Sequence, residues 1–186
     1  GARSLPCEGA VWVEKDDFRM EPPRKWRRLA PGAEVRLRYG YCVTVKEVIT
    51  DPESGEVCEL RCDYDPETSK GRQPEGRKVR GIIHWAPASC AVQIPVSLYS
   101  PLFSSETPDQ PPEGQTFLDL IDPDSKAEVT ALGEPSLADA VSGERFQFER
   151  VGYFHVDPVR SGDGPPHFNR IAALRDSWAK QEKSKP

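Results

Sequence analysis

From Glu34 to Val48 apolar and polar residues alternate. Val35, Leu37, Tyr39, Tyr41, Val43 and Val45 are interleaved with Arg36, Arg38, Gly40, Cys42, Thr44 and Lys46. A period of two is the signature of a half-buried β-strand, so the pattern predicts one strand over 34–48. It sets Arg36 and Arg38 on one face, about 7 Å apart at the usual rise per residue. The stretch 51–55 (DPESG) reads as a turn, and Val57 to Tyr64 returns as a second strand, giving a hairpin. Further strands are expected over 78–85, 91–99, 146–156 and 168–174. A short helix is expected over 134–141, with Gly143 past its end. Residues 104–115 hold four prolines and read as a linker or long loop.

Composition narrows the class. The chain has 186 residues, 19 of them Pro and 14 Gly. Proline removes a helix hydrogen bond and clashes with the preceding turn, which excludes a helical bundle. No apolar run approaches the roughly 20 residues of a membrane span. The chain is too rich in Trp, Phe, Tyr and Val to be wholly disordered. Short strands with frequent turn signals predict an all-β fold of barrels or sandwiches. Two barrels of about 90 residues each would have thin cores. Five cysteines at irregular spacing argue against a disulfide framework and for a reducing cytosol, a cytoplasmic setting. The chain starts at Gly1 without an initiator Met, which reads as a piece of a longer protein.

The net charge of −5 speaks against a nucleic-acid binder, but its distribution does not. Arg24, Lys25, Arg27, Arg28, Arg36, Arg38 and Lys46 are opposed only by Glu34, whereas residues 51–67 hold seven acids and one Arg. A basic band of this kind contacts phosphates, and Arg forks pair with base edges. A solvated face neutralising nearby acids explains the same charges. With Pro31-Gly32 as a turn, the pair Arg27-Arg28 is positioned to meet Arg36 and Arg38. Trp26, between basic residues, is either a stacking platform for a base or a core residue.

Catalytic constellations are poor. No Gly-rich phosphate loop follows a strand, and no G-x-S-x-G occurs. His84, His155 and His167 stand apart from one another. Cys58 and Cys62 lack a second close pair, so no metal site is expected. No catalytic residue is assigned in this chain.

Four segments together carry a resemblance. GRKVRGIIHW at 76–85 resembles the GRKVKGxIHW stretch of glutaminyl-tRNA synthetases. GEPSLADAVSGERFQFERVGYF at 133–154 and FNRIAALRDSWAK at 168–180 resemble their EPSLxDAxxGxxFQFERxGYF and FNRTVxLRDxWAK stretches. WVEKDDFRMEPPRKWRRLAPGAEVRLR at 12–38 resembles the opening of their anticodon-binding region. The match runs over residues 11–180. This family is a class I aminoacyl-tRNA synthetase, and its HIGH-like and KMSKS-like signatures do not occur here.

The resemblance implies the C-terminal anticodon-binding part, built from two antiparallel β-barrels like those of a ribosomal 5S-rRNA-binding family. The barrel nearer the catalytic domain would lack strands on its N-terminal side. The implied division is a distal barrel over 14–98, a proximal barrel from 1–13 and 99–180, and a charged tail over 181–186. The implied function is tRNA anticodon recognition within an enzyme that joins glutamine to its tRNA, with ATP and Mg²⁺ acting outside this chain and no cofactor within it. The implied partner is a glutamine-accepting tRNA, with neither DNA nor a membrane, and the implied state is a monomer. The alternatives are the related barrels of an archaeal-type glutamyl-tRNA synthetase and a stand-alone structural RNA-binding barrel.

Site roles carry over by motif. The Lys-Arg step that contacts the anticodon in the family is Arg27-Arg28 here, and the family Gln two residues before it is Lys25. The alternating arginines of the following strand match Arg36 and Arg38. Gln147 and Arg150 match the QFER motif, whose Gln reads the central anticodon base. Ser177 replaces the Thr of the closing motif and keeps its hydroxyl. Gln147 alternates with Phe146 and Phe148, so it faces away from a buried aromatic pair. Splayed anticodon bases are read on their edges by such Arg and Gln groups.

Overall fold

The computed structural model describes residues 4–162 and 164–174. Eleven strands and a few 3₁₀ turns make it all-β, as expected. Contacts divide the chain into two units, 1–89 and 90–186. The expected boundary at residue 98 lies at the far end of a strand that belongs wholly to the second unit.

The first unit holds β1 (Val11–Trp12), β2 (Glu34–Leu37), β3 (Cys42–Thr50), β4 (Val57–Asp65), β5 (Ile82–Ile83) and β6 (Ala86–Pro87). A four-stranded sheet runs in the order β4-β3-β2-β5, and β1 pairs with β6 apart from it. The predicted 34–48 strand is two strands. Tyr39 takes a left-handed φ of 60°, and the Gly40 amide donates to the Leu37 carbonyl at 2.7 Å, closing a tight turn. The alternation ran through this turn for a geometric reason. Glu34, Val35 and Arg36 pair with Thr44, Val43 and Cys42, each separated from its partner by an even number of residues. Odd positions therefore stay on one face in both arms, and periodicity alone cannot see the reversal. Val35, Leu37, Val45, Ile83, Trp85 and Leu29 form the core of this unit.

The opposite face of β2 is covered as well. Residues 66–71 form a 3₁₀ turn, and the Thr68 hydroxyl, itself buried, accepts from the Cys42 amide at 2.8 Å and donates to the Asp65 carbonyl at 2.6 Å. That loop places Arg36 in the interior, 5% exposed. Of the predicted 78–85 strand, only Ile82 and Ile83 enter the sheet, beside β2.

The second unit holds β7 (Val92–Tyr99), β8 (Lys126–Gly133), β9 (Arg145–Phe148), β10 (Gly152–Val156) and β11 (Phe168–Ala173), in the order β8-β7-β11-β10-β9. Sequence reading missed β8, whose apolar positions Ala127, Val129 and Ala131 give weak alternation, although it pairs with β7 over eight residues. The predicted 146–156 strand is the hairpin β9–β10, broken where Arg150 takes a φ of 65°. The expected helix over 134–141 is a 3₁₀ turn over Pro135–Asp139. Ile94, Val96, Phe154, Val156 and Phe168 make the core, on which Phe146 and Phe148 pack. The Phe148 and Phe154 rings stack with centroids 4.2 Å apart.

Both sheets are mainly antiparallel, but each contains one parallel pair, β2 with β5 and β11 with β7. Among the described residues the four-stranded sheet runs from β4 to β5 and the five-stranded sheet from β8 to β9.

Candidate nucleic-acid interface

The first part of the basic band, Arg24 to Arg28, is folded into a concave site in the first unit. Arg24, Lys25, Trp26, Arg27 and Arg28 form one wall, 78–81 the other, and Ala33 and Glu34 close the site, with a volume of about 410 Å³. The walls meet because residue 81 has no side chain: a Cβ on Gly81 would collide with the Arg27 carbonyl oxygen. The Gly81 carbonyl in turn accepts from the Arg36 amide at 2.8 Å, which ties this wall to β2.

The predicted site residues separate into several environments. Lys25 and Arg27 are exposed on the wall of the site, next to Arg24. Arg28 is only partly exposed. Its Nη1 lies 2.9 Å from the Oδ1 of the fully buried Asp17 and donates to the Asp16 carbonyl at 3.3 Å. Trp26 donates its indole N–H to the Leu29 carbonyl at 2.9 Å, and the guanidiniums of Arg19 and Arg28 stand 5.7 and 5.5 Å from its ring centre. These groups use the ring positions a stacked base would need, which disfavours Trp26 as a platform.

Arg36 and Arg38 do not line this site. Arg36 donates to the carbonyls of Gly40, Thr68 and Arg72 at 3.2, 3.3 and 2.6 Å, so its fork is spent on backbone. Arg38 is half-buried with its guanidinium 5.0 Å from the Tyr39 ring centre, and its carbonyl accepts from the Trp85 indole at 3.0 Å. The expected meeting of the two Arg pairs on one face is therefore not what the fold builds. The cause is the turn at Tyr39, which puts Arg38 outside β2 and leaves Arg36 under the 66–71 loop.

In the second unit Gln147 is exposed on the edge strand β9, opposite Tyr153. Its neighbours Phe146 and Phe148 turn into the core, as the alternation predicts. Arg150 is exposed at the tip of the same hairpin. Ser177 lies outside the described residues.

Lys78 and Arg80 are the site residues that sequence reading missed. They are exposed and make no ion pair among the described residues. A signal was present, since the K-x-R spacing puts both on one face of the strand expected over 78–85. Glu34 is the one carboxylate in the site, and Arg77 holds it with both Nε–H (3.1 Å) and Nη2–H (2.8 Å) while also pairing with Asp65. These bonds raise the Arg77 pKa and lower that of Asp65. No group of three or more metal-ligating side chains occurs among the described residues. No helix there is long and apolar enough to cross a membrane.

The chain thus holds two β-sheet units, one with a basic concave site and one with an exposed Gln on its edge strand. Residues 1–65 and 82–157 match two family models described as the anti-codon binding domain of class I tRNA synthetases (E and Q), and the chain belongs to that family. It is 48% identical over 179 residues to the glutamine–tRNA ligase of Pseudomonas syringae pv. tomato, covering 96% of this chain and 31% of that protein. The glutamine–tRNA ligases of Rhodopirellula baltica and Neisseria meningitidis serogroup A are 48% and 45% identical, over 98% and 96% of the chain and 30% and 32% of their own lengths. The chain thus spans about a third of the length of the curated relatives it matches.

Proposed function

We propose that this chain is the anticodon-reading part of a glutamine–tRNA ligase, and that its partner is a glutamine-accepting tRNA. The observation that carries the reading is the basic concave site on a family-matched anticodon-binding unit. Cations there attract the RNA backbone, while exposed polar side chains read base edges. The joining of glutamine to tRNA, with its ATP and Mg²⁺, is assigned to residues outside this chain.

Within this reading Lys25 and Arg27 contact RNA directly from the wall of the site. Gln147 reads the central anticodon base from the edge of β9, where its amide offers both a donor and an acceptor. Arg150 supports it from the hairpin tip. Arg28, Arg36 and Arg38 act by shaping the surface, because their guanidiniums are engaged with Asp17, with backbone carbonyls and with Tyr39. The two units correspond to the two barrels of the family.

The test is equilibrium binding of the intact protein to a glutamine-accepting tRNA and to the same tRNA changed only at the central anticodon base, over a salt series. The expected result is a clear preference for the first. Equal, strongly salt-dependent binding to both would mean phosphate attraction alone and would overturn base reading by this chain.

A further inference from the structure

The site in the first unit is unsuited to a base and suited to a phosphate. Its aromatic residue is flanked by Arg19 and Arg28 and its indole N–H is spent on Leu29, so a nucleobase finds no open ring. The remaining charged side chains on its walls, Arg24, Lys25, Arg27, Lys78 and Arg80, are donors only. Lys78 and Arg80 sit two residues apart on the wall that faces Arg27. The single acid, Glu34, would repel an anion if it were free, yet both its oxygens accept from Arg77. Arg77 is itself anchored on Asp65, the last residue of β4, so the Glu34 carboxylate is fixed against one edge of the site.

We propose that Lys78 and Arg80 clamp a backbone phosphate of the RNA against Arg27, and that Arg77 is a positioning residue that withholds Glu34 from that phosphate. The inference rests on the reading that the chain binds tRNA. It adds two ligands and a latch to that site. Phosphate contacts fix register on the RNA and carry no sequence information themselves. The clamp therefore contributes affinity and placement, while discrimination between anticodons resides elsewhere.

The experiment uses the intact protein and a transcript of a glutamine-accepting tRNA, with binding measured from 50 to 300 mM salt. In Lys78→Gln/Arg80→Gln the slope of log K against log[salt] becomes shallower by about 0.7 for each phosphate released. The preference for the cognate over the central-base variant stays as in the parent protein. Arg77→Gln weakens binding about tenfold at low salt, and Glu34→Gln added to it restores most of the loss. A purely structural role of Arg77 would give no such rescue, since removing Glu34 cannot rebuild a lost tie to Asp65. An unchanged salt slope in the Lys78/Arg80 variant overturns the clamp while leaving anticodon reading intact. A failure of the parent protein to distinguish the two tRNAs overturns anticodon reading, and the slope then still reports on the clamp. An Arg77→Gln loss that Glu34→Gln does not relieve overturns the latch.

Discussion

The Arg36 guanidinium donates to the Arg72 carbonyl oxygen at 2.6 Å, across the 66–71 loop and 36 residues along the chain. Together with its bonds to Gly40 and Thr68, this makes an arginine of the basic band a strut that pins the loop to β2. Hydrogen bonds from a charged donor contribute about 1.5–3 kcal/mol each when buried, and they are not additive. Arg36→Ala should therefore destabilise the first unit by about 2–4 kcal/mol in urea denaturation. Arg27→Ala, which touches no acceptor among the described residues, should change it by less than about 0.5 kcal/mol. A small effect of Arg36→Ala would mean the loop is held by Thr68 alone.

Arg28 carries a second structural charge. Asp17 is fully buried, and the Arg28 Nη1 at 2.9 Å is one of its neighbours and is cationic. Removing the partner of a buried carboxylate costs about 3–5 kcal/mol, because the remaining charge loses its compensation in a poorly polarisable setting. Arg28→Met should show a loss of this size, and Asp17→Asn/Arg28→Met should recover a large part of it. A double variant no more stable than Arg28→Met would place the penalty in lost packing against Trp26.

Gln147 differs from both arginines because its side chain points away from its own core. Gln147→Ala should leave the denaturation midpoint close to that of the parent. It should lower affinity for the glutamine-accepting tRNA about tenfold and reduce the preference against a changed central base by a similar factor. An unchanged preference would remove Gln147 from base reading. A lowered midpoint would show that it supports the β9–β10 hairpin instead.

The all-β class, the hairpin partner of β3 and the outward face of Gln147 were legible in the sequence. Each follows from strict alternation with a buried apolar set. The Tyr39 turn was hidden because the pairing preserves the parity of every residue. The loss of Arg36 from the surface was hidden for another reason: the loop that covers it is 30 residues away, and no local pattern reports a distant lid. β8 escaped because small and charged residues carry little period. Lys78 and Arg80 were readable as a same-side pair, but their partnership with Arg27 depends on the close approach that Gly81 permits. The 48% identity to full-length ligases confirms the resemblance without locating any of these contacts.

The second unit contains a pH-sensitive contact. His167 is buried, with its Nε2 2.8 Å from the Ser97 hydroxyl and 3.0 Å from the Arg160 Nη1. Arginine can only donate, so Nε2 must present its lone pair and the ring is held neutral. Burial lowers the His167 pKa below its ordinary 6.5, helped by the charge of Arg160 and opposed by Asp157 and Glu128. Arg160 also pairs with Glu128 at 2.7 Å, and Glu128 and Asp157 are held at about 2, so both stay ionised through mild acid. The unfolded ring takes up a proton near pH 6.5, and the folded ring does so only at lower pH. Between those values the unfolded state binds more protons, so stability falls as the pH drops below about 6.5. The slope for one group is at most about 1.4 kcal/mol per pH unit. His167→Gln keeps an acceptor for Ser97 and Arg160 but cannot titrate. Denaturation midpoints taken at pH 7.5 and 5.0 should fall further for the parent protein than for this variant. An equal fall in both would show that acid acts on the unit through groups other than His167.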